Sequence, residues 1–165
     1  MNNKTTIVAP QGKQEIFVTR EFAAPRELVY KTFSDSALFS QWMGCRNMSM
    51  EVDRYEFKDG GYYRYVDTDP NGNKNGTHGM FHEVLAPQRI IQTFEYEGLP
   101  ETGHVILRTI TFESLPGSLT KLVIHSLFQS MADREGMMAS GIEKGVNESH
   151  ERLDELLESI LNYTI

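Results

Sequence analysis

The feature that most constrains the fold is a stretch without any helical period, which runs from Arg46 to Ser130 and is rich in turn signals. Clusters of turn-forming residues, such as 58–61 and 69–76, divide it into runs of β-branched and aromatic residues. After this stretch, apolar residues recur every three or four positions from Met138 to Ile160. The pattern predicts about six sequential antiparallel strands followed by one long amphipathic helix.

Glycines interrupt the predicted long helix. Gly136, Gly141 and Gly145 each weaken a helix by about 1 kcal/mol relative to Ala, so this helix needs tertiary support. Gly141 and Gly145 share one helix face, which predicts a close backbone approach or an open space beside it. Asp133 is a candidate cap for the first turn.

The N-terminal part adds one strand and two short helices. Residues 15–22 are predicted to form the strand, Pro25 to start the first helix, and Asp35 to cap the second. We expect residues 1–14 to be a loose or edge-strand leader and residues 162–165 a C-terminal tail. With 165 residues in total, the sequence predicts a single α+β domain over residues 15–161.

Composition disfavours several classes of partner. Sixteen Lys and Arg residues against twenty-three Asp and Glu give a formal charge of −7, so we expect neither nucleic acid nor an anionic membrane as partner. The only cysteine is Cys45, which excludes an internal disulfide. Because the N-terminal residues are polar and no long apolar run occurs, we expect a cytoplasmic protein.

No motif specifies a metal site or a catalytic centre. Residues 67–72 imitate the start of a calcium-binding loop, but His78 occupies the position that requires Glu. His82 begins a His-Glu pair that lacks the second His of a zinc protease. Cys45 lies beside Arg46, a cation that can lower a thiol pKa, but an inert residue is the favoured interpretation. We therefore predict no metal and no cofactor.

Motifs along nearly the whole chain resemble those of one family. They are Arg20-x-Phe22-x-Ala24-Pro25, Trp42-Met43-Gly44, Gly60-Gly61-x-Tyr63-Arg64-Tyr65, His82-Glu83-Val84, Arg89-Ile90-x-x-Thr93-Phe94, Gly141-Ile142-x-x-Gly145 and Arg152-Leu153-x-x-Leu156-Leu157. In this order and spacing, the sequence resembles the homologues of the activator of Hsp90 ATPase. That family belongs to the START/Bet v 1-like superfamily of helix-grip proteins.

The resemblance implies a curved sheet of six to seven antiparallel strands wrapped on the long C-terminal helix, with a cavity between them. In this superfamily, the cavity commonly takes hydrophobic or amphipathic small molecules. The implied function is therefore small-ligand binding by a monomer or homodimer. The alternatives are a cyclase- or dehydratase-like enzyme that uses the same cavity, and an accessory protein of an Hsp90-type chaperone.

Arg108 is the charged residue that stands out in the predicted sheet. It shares a strand face with Ile106 and Ile110, so its charge is either solvated or buried with a partner. The partner is either an acidic residue such as Glu95 or a ligand carboxylate. Because Leu107 makes the opposite face apolar as well, both orientations stay open.

The other candidate site residues are mainly aromatic. Tyr63, Tyr65 and Phe94 either fill the core or line an incompletely filled interior. Acid–base chemistry in the same cavity would use His82, Glu95 or Tyr65. The complete predicted ligand-binding set is Trp42, Tyr63, Tyr65, His82, Phe94, Glu95, Arg108, Met138 and Ile142.

Overall fold

The structure, a computed structural model, describes residues 3–163, which form eight strands and four helices. The elements are β1 (Thr6–Val8), β2 (Glu15–Phe22), α1 (Arg26–Ser34), α2 (Ser36–Trp42), β3 (Ser49–Tyr55), β4 (Tyr62–Thr68), β5 (Lys74–Leu85), β6 (Arg89–Tyr96), β7 (Ile106–Leu115), β8 (Leu119–Leu127), α3 (Met131–Ala139) and α4 (Ile142–Tyr163). Residues 1–2 of the predicted leader and 164–165 of the predicted tail lie outside the described residues. Within the described range, no helix carries the apolar length needed to span a bilayer.

All eight strands belong to one antiparallel sheet, in the order β1-β2-β8-β7-β6-β5-β4-β3. The predicted α+β architecture, with sequential strands joined by turns, is thereby confirmed. The sheet has one strand more than the predicted six to seven. The extra strand is β1, because three residues of the leader pair with β2 from Phe17 to Thr19 and extend the sheet edge.

The register shows which side chains share the inner face of the sheet. In β2, every second residue from Ile16 to Phe22 is buried, as expected for a strand with one covered face. Ile16 lies opposite Ser126, and Ser126 lies opposite Arg108. On the next strands, Arg108 lies opposite Gln92, and Gln92 lies opposite Phe81. Because directly paired residues point to the same face, Arg108 points inward.

The two short helices have the predicted start signals. The Asp35 carboxylate caps α2 by accepting the backbone N–H groups of Ala37 and Leu38, at 2.9 and 3.3 Å. At the end of α2, the indole N–H of Trp42 donates to the Thr32 carbonyl of α1 at 2.9 Å. This bond fixes the two helices relative to each other.

The C-terminal segment forms two helices rather than the single helix that was predicted. Helix α3 ends at Ala139, Gly141 takes a φ of +84°, and α4 begins at Ile142. A positive φ favours glycine, so the role of Gly141 is to separate the helices. Of the two alternatives predicted for Gly141 and Gly145, the structure shows space and not a close backbone approach. An added Cβ would meet no atom within 4 Å at Gly141, and at Gly145 only the Cys45 Sγ at 3.8 Å, an ordinary contact distance.

Buried apolar residues form two clusters. The main core joins the middle of the sheet to α1, α2 and α4, and includes Phe22, Trp42, Phe112 and Leu153. A smaller group, here the side cluster, contains Ile16, Val18, Ile106 and Phe128. The side cluster lies where the sheet faces α3 and the start of α4, since Met137 and Ile142 pack against it.

A buried polar network ties the N-terminal segment to α4. Arg20 forms an ion pair with Asp154 of α4 and donates from Nη1 to the Thr5 hydroxyl at 3.0 Å. The Thr5 hydroxyl also lies 2.9 Å from Nδ1 of His150. Because Thr5 accepts from Arg20, its hydrogen is available for an unprotonated Nδ1. Burial, and secondly the Arg20 charge, lower the pKa of His150 to about 3.

We expect this histidine to make the fold sensitive to acid. With a folded pKa of about 3 and an unfolded pKa near 6.5, His150 takes up a proton only on unfolding between these values. Its contribution therefore lowers the free energy of unfolding by about 1 kcal/mol as the pH falls from about 7 to about 5.5. Urea titrations over this range would measure the slope in wild type and His150→Asn, with exposed His82→Asn as control. An unchanged slope in His150→Asn would contradict the assignment.

Candidate ligand-binding site

A cavity of about 720 Å³ lies between the sheet and α3, and we call it the outer cavity. The end of β6, the following loop, the start of β7 and one face of α3 form its walls. Its principal apolar lining residues are Phe94, Leu99, Pro100, Ile106, Phe128 and Met137. The volume and the apolar character are typical of small-molecule sites.

The outer cavity exists because α3 carries little bulk on this side. Ala132 and Gly136 lie on the lining, and a Cβ added at Gly136 would find no atom within 4 Å. Ser130 caps this helix by accepting the backbone N–H of Asp133 at 3.1 Å. The predicted cap, Asp133, instead sits in the first turn and points its carboxylate to the cavity mouth.

An ion pair crosses the mouth of the outer cavity. His104, in the loop between β6 and β7, places Nδ1 at 3.0 Å from a carboxylate oxygen of Asp133. Glu101 lies 3.5 Å from the Nε2 of the same ring. The hydrogen bond and charge of Asp133, followed by those of Glu101, raise the pKa of His104. The pair of His104 with Asp133 therefore holds the loop against α3.

A second, much smaller cavity of about 40 Å³ lies deeper between the sheet and the short helices, and we call it the inner cavity. Its polar lining residues are Tyr55, Tyr63, Tyr65, Gln92 and Arg108. Phe94 separates the two cavities, since its ring lies 4.2 Å from the guanidinium carbon of Arg108. On β6, Gln92 lines the inner cavity and Phe94, two residues on, lines the outer one.

Arg108 carries a charge in this interior without an acidic partner. Within residues 3–163 no carboxylate forms an ion pair with it, and its one hydrogen bond runs from Nε to the Ser126 hydroxyl at 3.4 Å. Burial lowers the pKa of the guanidinium, while the nearby Tyr63 and Tyr65 act in the opposite direction. The group stays protonated because an arginine begins from a pKa far above neutrality.

Two tyrosine hydroxyls lie near Arg108, and that of Tyr63 is hydrogen-bonded. Tyr63 donates to the Thr93 carbonyl at 2.6 Å and accepts from the Gln92 amide at 3.2 Å. Burial is the main cause that raises the pKa of Tyr65 to about 12. Burial likewise raises the pKa of Tyr63. Both phenols are therefore neutral.

Two of the predicted site residues lie away from the cavities. Glu95 follows inward-pointing Phe94 on β6, so strand alternation places it on the outer face. There its carboxylate lies 3.6 Å from His78 and accepts the backbone N–H of Gly103 at 2.9 Å. Of the partners that the sequence left open for Arg108, Glu95 is therefore excluded by its position. His82 is exposed, next to an irregularity in the register of β5 with β6.

The helical members of the predicted set contribute packing. Trp42 is 1% exposed and contacts Phe33 and Phe39 in the main core, rather than rimming a cavity mouth. Met138 is 37% exposed, whereas its neighbour Met137 lines the outer cavity. Ile142 packs against the side cluster.

The structure adds site residues that sequence reasoning did not select, namely Met137, Gly136, Phe128 and the His104–Asp133 pair. The available signal was Gly136 inside a helical pattern, which indicates space beside the helix. The ion pair had no signal, because its partners are 29 residues apart in the sequence.

Cys45 has the environment of an unreactive thiol. Its expected neighbour Arg46 turns away and binds Glu155 at 2.7 Å. Burial, and then the charge of Glu148, raise the pKa of the thiol, which disfavours the reactive thiolate. These contacts support the inert interpretation.

A single antiparallel sheet packed on a long C-terminal helix, with two short helices after its second strand, defines a protein of the helix-grip class. The family model described as "Activator of Hsp90 ATPase homolog 1-like protein" matches residues 23–158. The chain therefore belongs to this family, as the sequence motifs predicted. No curated protein matches the sequence.

Solved bacterial structures share the fold over almost the full chain. A protein from Rhodobacter sphaeroides is 26% identical with a TM-score of 0.85, and the match covers 94% of this chain and 99% of that one. A protein from Arthrobacter aurescens is 23% identical with a TM-score of 0.85, covering 93% and 91%. Protein Ms6760 from Mycobacterium smegmatis is 19% identical with a TM-score of 0.84, covering 93% and 97%.

Proposed function

We propose that the chain binds a small, largely apolar or amphipathic molecule in the outer cavity. The observation that carries the proposal is an open, mainly apolar space of about 720 Å³ in a chain whose main core is filled by buried aromatic side chains. A ligand that covers these apolar walls would remove them from water, which is favourable in proportion to the apolar area buried. Small-molecule sites generally fall in the same size range.

Binding is better supported than acid–base catalysis in this cavity. Of the three predicted acid–base groups, His82 and Glu95 lie outside the cavities. Tyr65 lies inside, but its pKa of about 12 leaves it protonated near neutral pH. A general acid–base pair requires two groups within hydrogen-bond reach of one reacting position. These three residues do not provide such a pair.

An Hsp90-type chaperone is the second candidate partner, and the family description is its sole support. The two functions have different readouts, because a chaperone partner requires a docking surface rather than a cavity. Adding the purified chain to the Hsp90 of its host, and measuring the ATPase rate, would test it directly.

The test of the binding proposal is to fill the outer cavity from α3. We expect Gly136→Phe to abolish saturable binding of N-phenyl-1-naphthylamine, an uncharged dye that fluoresces in apolar sites, which wild type binds. The substituted ring would enter open space, and the helix gains propensity by losing a glycine, so the fold is retained.

The matched control is Met138→Phe, which adds a ring to the same helix outside the lining. It should bind the dye like wild type, and circular dichroism should show both variants folded. Absence of saturable dye binding in wild type, or equal binding by Gly136→Phe, would refute the proposed site.

A further inference from the structure

Arg108 carries a partly buried charge that has no carboxylate partner among the described residues. Withdrawing a charge from water is costly unless it is paired. The two fully buried arginines are paired. Arg20 pairs with Asp154, and Arg134 pairs with Glu135 and donates to two backbone carbonyls. Arg108, by contrast, lines the inner cavity with terminal N–H groups that have no hydrogen-bond acceptor among residues 3–163.

The inner cavity beside Arg108 fits a small polar group. Its volume of about 40 Å³ is enough for a small head group, whereas the outer cavity of about 720 Å³ has room for the bulk of a ligand. Beside the inner cavity, Tyr63 donates its hydrogen to the Thr93 carbonyl. The terminal N–H groups of Arg108 have no acceptor among the described residues, and they form a planar fork suited to a carboxylate.

The two cavities follow one another along the paired strands β6 and β7. Phe94 and Ile106 form a cross-strand pair in the lining of the outer cavity, and Gln92 and Arg108 form the next inward pair, in the lining of the inner cavity. The Phe94 ring stands between the two spaces, stacked on the guanidinium. A ligand that occupies both spaces would require this ring to rotate about its side-chain torsions.

We propose that the ligand is an amphipathic monocarboxylic acid, whose carboxylate binds Arg108 in the inner cavity while its apolar part occupies the outer cavity. This inference rests on the proposed function and specifies the ligand class. The bound carboxylate would accept the N–H groups of Arg108 as a bidentate pair. The desolvated guanidinium would thereby gain the counter-ion that the protein itself does not supply.

The test compares two competitors that share one alkyl chain, one with a charged and one with a neutral head group. Decanoate and decanamide are each titrated at about pH 7.5, where the acid is ionised, to displace N-phenyl-1-naphthylamine from the protein. We expect wild type to prefer decanoate by at least about tenfold, because hydrogen bonds to charged groups exceed neutral ones by about that factor. Arg108→Met should lose the preference, and Arg108→Lys should retain only part of it, since lysine keeps the charge without the fork.

Arg89→Met is the matched control, because Arg89 is an exposed arginine that pairs with Glu83 away from both cavities. It should keep the wild-type preference. Equal displacement by the two competitors, or a preference that survives in Arg108→Met, would overturn the carboxylate assignment. The proposed function would still stand in that case, because the dye would still bind to the outer cavity. If the dye itself does not bind, the proposed function fails first, and the ligand class falls with it.

Discussion

Replacing Arg108 by Met is expected to raise the free energy of unfolding of the ligand-free protein by about 1–3 kcal/mol. The substitution removes a desolvated charge without an acidic partner, and the Met side chain can keep the contact with the Phe94 ring. Ser126 loses only one long hydrogen bond of 3.4 Å. Urea unfolding followed by circular dichroism measures the change.

Arg20→Met provides the contrast for this experiment. Arg20 is more deeply buried than Arg108, and it pairs with Asp154 and bonds Thr5, so its removal should lower the free energy of unfolding. Opposite signs for the two substitutions would separate a binding arginine from a structural one. A loss of stability in Arg108→Met similar to that in Arg20→Met would mean that Arg108 holds the fold together.

Trp42→Ala is expected to lower the free energy of unfolding by about 3–5 kcal/mol, the largest effect that we predict. The indole is 1% exposed, packs against Phe33 and Phe39, and donates a hydrogen bond to Thr32. Its removal leaves a cavity in the main core and an unpaired carbonyl.

Because Trp42 is the only tryptophan, the comparison requires far-UV circular dichroism instead of intrinsic fluorescence. Tyr62→Ala is the control, since Tyr62 is an aromatic residue that is 51% exposed. It should change the free energy of unfolding by less than about 1 kcal/mol. If Trp42→Ala changed the free energy of unfolding equally little, Trp42 would belong to the ligand-binding set, as predicted from the sequence, and not to the main core.

The strands and the helix starts were predictable because they depend on local chemistry. β2 alternates buried and partly exposed residues along its length, and Asp35 has the short side chain that an N-cap requires. The break between α3 and α4 was harder to predict from the sequence. A glycine in a helical pattern is compatible with a helical φ and with a positive φ, and Gly141 and Gly145 differ in this respect.

The candidate site was harder to predict than the fold, because it depends on which strand face turns inward. β7 has apolar residues on both faces, with Leu107 40% exposed on the outer one, so its sequence did not orient Arg108. Pairing with Ser126 and Gln92 resolves the orientation, and such pairing is a long-range property. The loop from 97 to 105 became part of the site only through its ion pair with α3.

The location of the outer cavity has a consequence for how such a protein can diversify. Its walls are α3, a loop and the side cluster, while the main core joins the sheet to α1, α2 and α4. The break at Gly141 separates the cavity-lining helix from the helix that the sheet holds. Substitutions at positions such as Leu99, Gly136 or Met137 therefore change the shape of the outer cavity with little effect on the free energy of unfolding. A lineage with this architecture is free to acquire new ligand preferences while conserving its fold.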